Sequence, residues 1–459
     1  MAALQINPAS YRDPSGFVFE QDGIIYRQVH QTYRQHYTQL MESGCYAALT
    51  QAGQLLPHRE LQQNLTGMPE WFLTLQPELL AHISHPCEWS FGMLKDAALA
   101  TLAIQQKAIG FGLSLKDATA WNFQLHKDRM CLIDTLSFET YDASKPWIAY
   151  RQFCENLLAP LLLMHYTKEP LQPLLLAWPE GIPLPVVSKW LSRKTRFNLH
   201  IALHIHLHAK MMGKSAGSTA RPVIFSKQKM QRMLSSLELL VQKLQMPARS
   251  GVWSHYYVEA GEREDYLTQK TALVKKWIAD CGTVSTAIDL GANDGYFSKL
   301  LADTGAYTLA ADFDAYCADE LYKEVREKKI TGLHPVVLDL AWPTPATGFP
   351  GGERNSFIQR SQSELGLALA LVHHLAIGKN IPLEKIAYYF SRVCRQLLIE
   401  FVPKSDEKVQ LMLQQREDIF TKYDTRGFEK AFERYFTIAA VQEIGNSGRI
   451  LYRMNKHAE

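Results

Sequence analysis

The sequence predicts an α/β chain, with a mixed sheet of seven strands in the C-terminal half and a mostly helical α+β domain in the N-terminal half. Three observations carry this prediction. Residues 251–459 alternate short apolar runs with helix-like segments, as an α/β sheet with crossover helices requires. The first of those runs stops at a Gly-rich turn, DLGANDGYFS (289–298). The chain ends in two apolar runs split by GNSG (445–448), the pattern of a hairpin. At 459 residues the chain is long for one hydrophobic core, so a division into 1–250 and 251–459 is expected, with PARSG (247–251) as the linker.

The predicted strands follow in order. Residues 284–290 (VSTAIDL), 307–312 (YTLAAD) and 334–340 (HPVVLDL) each carry a carboxylate at or near their end. LGLALALV (365–372) and QLLIEFV (396–402) supply two more, and YFTIAAV (435–441) with RILYRM (449–454) completes the seven. The clearest helix is 382–395, with Pro382 suited to a first helical position. The N-terminal half reads as helix with a few strands, is Pro-rich around 165–190, and has an exposed loop at 213–222.

Composition excludes several classes. A hydrophobic fraction of 47% and a charged fraction of 21% describe an ordinary globular protein. A net charge of +3 is too balanced to argue for nucleic-acid or membrane binding through bulk electrostatics, and it leaves a local basic groove open. The first residues lack a secretory pattern, and the most apolar stretch, Leu157 to Met164, is too short to span a bilayer. Seven scattered cysteines without a C-x-x-C pair fit reduced thiols, and a cytoplasmic location is expected.

Glycines 291 and 295 allow a tight turn and close approach of backbone to a ligand, and the following helix aims its amides there. Asp289 precedes the turn and Asn293 lies inside it. Asp312, 23 residues after Asp289, is placed to accept both hydroxyls of a ribose. Asp339 is placed to accept from an adenine amino group, with Leu340 beside the ring. An NAD-dependent oxidoreductase is the alternative, but G-x-x-x-G fits G-x-G-x-x-G poorly.

These residues and the terminal hairpin resemble the class I S-adenosyl-L-methionine-dependent methyltransferases over roughly residues 255–459. The resemblance implies a Rossmann-like seven-stranded sheet whose last strand is antiparallel, with Asp289, Gly291 and Gly295 around methionine, Asp312 on ribose and Asp339 on adenine. Asn293 departs from the glycine common in the family. Methyl transfer is an in-line displacement, and a base is needed only where the acceptor loses a proton. His373 and His374, after the fourth strand, are the candidates for that base. Glu353 and Arg354 lie in a polar loop suited to cover an acceptor, and Glu400 reads as a framework residue. Some nodulation-associated bacterial methyltransferases are similar along much of this length, which implies a small-molecule, sugar or other glycan acceptor.

A second constellation lies in the N-terminal half. Asp117 and Asn122 have the spacing D-x4-N, and Asp134 follows an apolar run 17 residues after Asp117. This resembles the catalytic loop and metal-binding aspartate of protein-kinase-like and aminoglycoside-phosphotransferase-like enzymes. The resemblance implies that Asp117 orients a hydroxyl while Asn122 and Asp134 hold magnesium on ATP. Leu115-Lys116 stands where His-Arg or His-Gly is usual, no Gly-rich loop precedes it, and IIYRQV (24–29) offers only Arg27 for the strand lysine. A kinase-like phosphotransferase or nucleotide-binding protein is therefore the alternative function. His200, His204, His206 and His208 invite a metal reading, but satisfied helix histidines fit better without a nearby acidic ligand. The aromatic cluster Trp253 to Tyr257 is expected at the domain junction or the cofactor cleft.

Overall fold

A computed structural model describes residues 4–212, 225–246, 264–414 and 417–458. The predicted linker at 247–251, the loop at 213–222 and the cluster Trp253 to Tyr257 lie outside the described residues. The chain divides into two compact units: Met1–Pro247 with Gly352–Arg354, and Ala248–Gly351 with Asn355–Glu459.

The first unit contains more sheet than the sequence suggested. Strands β1 (Gln5–Ile6), β2 (Gly16–Gln21), β3 (Ile24–His30), β4 (His58–Leu61) and β5 (Trp71–Pro77) form an antiparallel sheet in the order β1-β2-β3-β5-β4. Its inner face, from Val29, Leu73 and Leu75, packs on Tyr33, Tyr37 and Leu136. Next comes the helix Phe91–Gly110, capped where Ser90 accepts from the Met93 amide. It buries residues nearly all round, the mark of a central helix. Two short ribbons follow, pairing β6 (Leu113–Leu115) with β9 (Phe138–Thr140) and β7 (Phe123–His126) with β8 (Arg129–Leu132). The rest of the unit is helical.

The second unit is built on strands β10 (Thr286–Leu290), β11 (Tyr307–Asp312), β12 (Leu333–Val337), β13 (Ser363–Ala368), β14 (Cys394–Phe401), β15 (Phe436–Glu443) and β16 (Ile450–Lys456). Their order is β12-β11-β10-β13-β14-β16-β15. The first five run parallel, and β16 is antiparallel to both of its neighbours. A dinucleotide fold of the order 3-2-1-4-5-6 lacks that inserted antiparallel strand, which removes the oxidoreductase alternative for the sheet. All seven expected strands form, with shifted ends. The third ends at Val337, so Asp339 lies two residues past it, and Pro382 caps the helix Leu383–Val393 from outside.

Parallel strands buried on both faces read as continuous apolar runs, which is why they were legible. One face packs Ile288, Ala368, Leu397 and Ile399 against Ile386 and Phe390. The other packs Ala287, Leu365, Leu367 and Leu398 against Leu273, Val274 and Trp277 of the helix Glu264–Asp280. Burying each such leucine stabilises by about 1.5–3 kcal/mol. Among the described residues no helix is long and apolar enough to cross a membrane.

Candidate active site

The site lies at the C-terminal edge of the parallel strands. The turn after β10 needs left-handed backbone at Gly291 (φ 81°), Asn293 (φ 52°) and Gly295 (φ 76°). Asparagine tolerates that region, so Asn293 departs from glycine at small cost. Gly295 is constrained twice, because a Cβ there would lie 2.6 Å from the Leu321 side chain. At Gly291 a Cβ would come within 3.2 Å of Leu371. Both glycines are therefore required by the fold itself, the turn packing closely on Leu371 and Leu321.

Asp312, the last residue of β11, is buried and faces that turn. Its Oδ2 accepts from the Asn293 amide at 2.7 Å and its Oδ1 from the Asp314 amide at 2.8 Å. Each carboxylate oxygen retains a further lone pair. Burial pushes its pKa up to about 6, although both amides oppose the shift. Asp289 is buried one position before the end of β10 and accepts from Ser298 Oγ at 2.6 Å. Burial outweighs that hydrogen bond and raises Asp289 to about 7. Asp339 is more open: its Oδ1 accepts from the Ala341 amide, and its Oδ2 lies 3.3 Å from Lys379 Nζ. Leu340 packs, half-buried, against the main core.

His373 is buried and His374 half-buried, with ring centroids 4.1 Å apart. His373 Nδ1 finds no hydrogen-bond partner among the described residues. Burial, then the neighbouring His374 and the cations Arg449 and Lys270, holds His373 well below the ordinary histidine value. Burial and Arg449 lower His374 to about 4. Both rings are thus neutral near pH 7.

Sequence reasoning missed the ionic group beside them. Glu400 follows Leu398 at the period of two and shares its face, toward the helix Glu264–Asp280. There its Oε2 meets Lys270 Nζ at 2.6 Å, and its Oε1 accepts from Tyr266 Oη at 2.5 Å. Arg449 reaches Glu400 at 3.4 Å and Asp406 at 2.9 Å. Burial would raise Glu400, but Lys270 and Arg449 outweigh it and hold the carboxyl below its usual range. Glu400 is a framework residue, and its partners are what the sequence did not disclose.

In the first unit, Asp117, Asn122 and Asp134 do converge. Asn122 Nδ2 lies 3.5 Å from Asp134 Oδ2, and burial with the nearby Asp134 raises Asp117. Asp134, however, accepts from Ser137 Oγ at 2.6 Å and from the Leu136 amide at 3.0 Å, and is ion-paired to Arg27. Burial opposes its ionisation, yet Arg27 and these donors hold it below its usual range. A guanidinium therefore sits against the oxygen a magnesium ion would need, and the donor set does not fit ATP–magnesium. No group of three metal-ligating side chains occurs among the described residues. His204 is bonded to Tyr150 Oη and Ser236 Oγ, and His200 to Ser236 Oγ. Glu353 and Arg354, expected over an acceptor, group with the first unit. There Glu353 pairs with Arg12 at 2.9 Å, and Arg354 lies 4.4 Å from the Trp121 ring centre.

The seven-stranded sheet, its antiparallel last strand and the glycine turn beside Asp312 are those that the resemblance to S-adenosylmethionine-dependent methyltransferases implies. No family model matches the chain. Over 465 residues it is 32% identical to the nodulation protein NoeA of Rhizobium meliloti (strain 1021), covering 97% of this chain and 95% of that protein. The chain belongs to the NoeA family. Among solved structures, the bifunctional kinase-methyltransferase WbdD is 17% identical, with 43% of this chain aligned to 40% of that one at a TM-score of 0.30. The match thus spans about two fifths of WbdD. Magnesium protoporphyrin IX methyltransferase from Synechocystis PCC 6803, with bound SAH, is 16% identical over 41% of this chain and 84% of that one, at a TM-score of 0.30.

Proposed function

We propose that the second unit is a class I S-adenosylmethionine-dependent methyltransferase acting on a small-molecule, sugar or natural-product acceptor. The observation that carries this is Asp312: a buried carboxylate at a strand end, oriented by two backbone amides, one of them from the glycine turn that follows β10. Its free lone pairs suit two ribose hydroxyls. The turn from Gly291 to Gly295 would admit the methionine portion against backbone, and Asn293 shapes it. Asp339 would accept from the adenine amino group, with Leu340 beside the ring. When bound, the cofactor supplies a methyl group activated by its sulfonium.

The chain's own contribution is positioning, exclusion of water and a place for a proton. His373 and His374 are neutral near pH 7, so each keeps a lone pair for an acceptor hydroxyl or amine. Calorimetry with S-adenosylhomocysteine, beside ATP–magnesium and with Asp312→Ala as control, tests the reading. Micromolar-range binding lost in the variant supports it. Absence of nucleoside binding beside clear ATP–magnesium binding overturns it. That outcome would move the active centre to Asp117, Asn122 and Asp134 and would require Arg27 to leave Asp134.

A further inference from the structure

Charge is distributed unevenly along this chain. Between Glu180 and Glu238 there is no acidic residue, and ten of the 49 lysines and arginines fall in those 57 residues. The other 402 residues carry 39 basic against 46 acidic side chains, so a +10 segment is set in a −7 remainder. Its described part belongs to the first unit. It includes the helix Leu184–Trp190, the tight turn Arg193–Phe197, the helical run from Leu199 to Met212, π-helical over Ala202–Leu207, and the start of the helix Lys227–Lys243. His206 ties the first three together, with Nδ1 2.8 Å from Ser188 Oγ and Nε2 2.9 Å from Thr195 Oγ1.

The run buries Ile201, His204 and Ile205 on its inner side. Its outer side is apolar as well: Leu199, Leu203, Leu207 and Met211 are 78%, 47%, 47% and 63% exposed. A spacing of four drifts by roughly 40° per step on an α-helix and by roughly 30° the other way on a π-helix, so the mixed run keeps them in one stripe. Phe197, in the adjoining turn, is 91% exposed. Lys189, Arg193, Lys194, Arg196 and Lys210 are exposed on the same elements, and none is in an ion pair among the described residues.

We infer that this face docks the protein on anionic phospholipid surfaces. Contiguous exposed apolar side chains mark an interaction site, and the cationic residues beside them fix the chemistry of what covers it. A nucleic acid would match the charge but offers no counterpart to a stripe of aliphatic side chains. The headgroup boundary of a bilayer takes both, aliphatic groups entering the acyl region while arginine and lysine reach the phosphates. The contact is peripheral, in the plane of the interface.

The test is sedimentation of the full chain with phosphatidylcholine vesicles, with and without phosphatidylglycerol. The protein is expected on the anionic vesicles only, and less so as salt rises. Arg193→Gln, Lys194→Gln and Arg196→Gln should each weaken partition roughly fivefold. The triple variant Leu199→Ser, Leu203→Ser, Leu207→Ser should lose it, while keeping the wild-type melting curve because these side chains are exposed. Failure to bind anionic vesicles, equal binding to neutral ones, or undiminished binding by the serine variant each overturns the inference. If vesicle binding is absent, a dimer that the serine variant dissolves assigns the stripe to a second copy. Heparin binding that survives the serine substitutions, again without vesicle binding, assigns the basic residues to a polyanion instead.

Discussion

Lys270 Nζ lies 2.6 Å from Glu400 Oε2, and both side chains are almost completely removed from water. Removing Lys270 leaves Glu400 only the more distant Arg449, which it shares with Asp406, and breaking a buried pair from one side costs up to about 3–5 kcal/mol. Lys270→Met should therefore lower the thermal midpoint markedly. Adding Glu400→Gln to it should recover part of the loss, because the amide still accepts from Tyr266. The folded carboxyl of Glu400 is depressed, so its contribution is present above the usual carboxylate range and disappears as pH falls through the folded value. Thermal melts of the single and double variants over a pH series check both statements. A double variant no more stable than Lys270→Met would show that the charge is not the cause.

Asp312 makes cofactor affinity depend on pH in a stated direction. A protonated carboxyl has fewer acceptor sites for ribose, so S-adenosylhomocysteine affinity should fall as pH drops through about 6. Calorimetry from pH about 5 to about 8 reads this, and Asp312→Asn should bind weakly with a flattened profile. For folding, the sign is the reverse of Glu400. Asp289 and Asp312 are raised, so their contribution is complete below the unfolded carboxylate range and lost as pH rises through about 6 to 7. Asp289→Asn should then stabilise the ligand-free protein above pH 7, by an amount on the order of 2–4 kcal/mol, read from unfolding midpoints.

The sheet and its turn were legible because both are local. Runs such as AIDL before Gly291 carry strand, burial and turn within a few residues, and Asp312 sits at a strand end that needs no partner to be noticed. The ionic group was not, because Lys270, Glu400 and Arg449 are far apart in sequence and meet only when the helix Glu264–Asp280 covers the sheet. A signal existed all the same: Lys270 falls on the apolar stripe Leu267, Val274, Trp277, and Glu400 interrupts the run QLLIEF. In the first unit, β2 and β3 carry polar side chains on a half-exposed sheet, so their alternation was weak. The Arg27–Asp134 pair joins a strand to a distant turn, and no sequence spacing betrays that the metal-type aspartate is already occupied.

Gly295→Ala tests whether the turn tolerates a side chain. Alanine meets a left-handed backbone and would place its Cβ 2.6 Å from buried Leu321. Strain and overpacking together should cost about 2–4 kcal/mol. Gly305→Ala is the control, since Gly305 has a similar positive φ but an added Cβ there meets nothing within 4 Å. It should cost about 1 kcal/mol, the backbone share alone. Only Gly295→Ala should also impair S-adenosylhomocysteine binding. Equal losses in the two variants would reduce the turn's requirement to backbone conformation.

The histidine pair separates a proton acceptor from a packing residue without knowledge of the methyl acceptor. His374 is lowered to about 4 by burial and Arg449, so its ring should remain neutral across the range where an exposed histidine titrates. Proton NMR should show its ring resonance unmoved until pH about 5, whereas an exposed histidine shifts near pH 6.5. Arg449→Met removes a nearby cation as well as a partner of Glu400 and Asp406, so in that variant the titration should move upward. His373, deeper and with Nδ1 unpartnered, is held well below the ordinary histidine value by its burial and should likewise show no titration near pH 6.5. If either ring accepts the proton, its replacement by glutamine should lower kcat on a competent acceptor by about 10²–10⁴ with S-adenosylhomocysteine affinity unchanged. A glutamine variant that loses cofactor affinity and stability together would place that histidine among the packing residues.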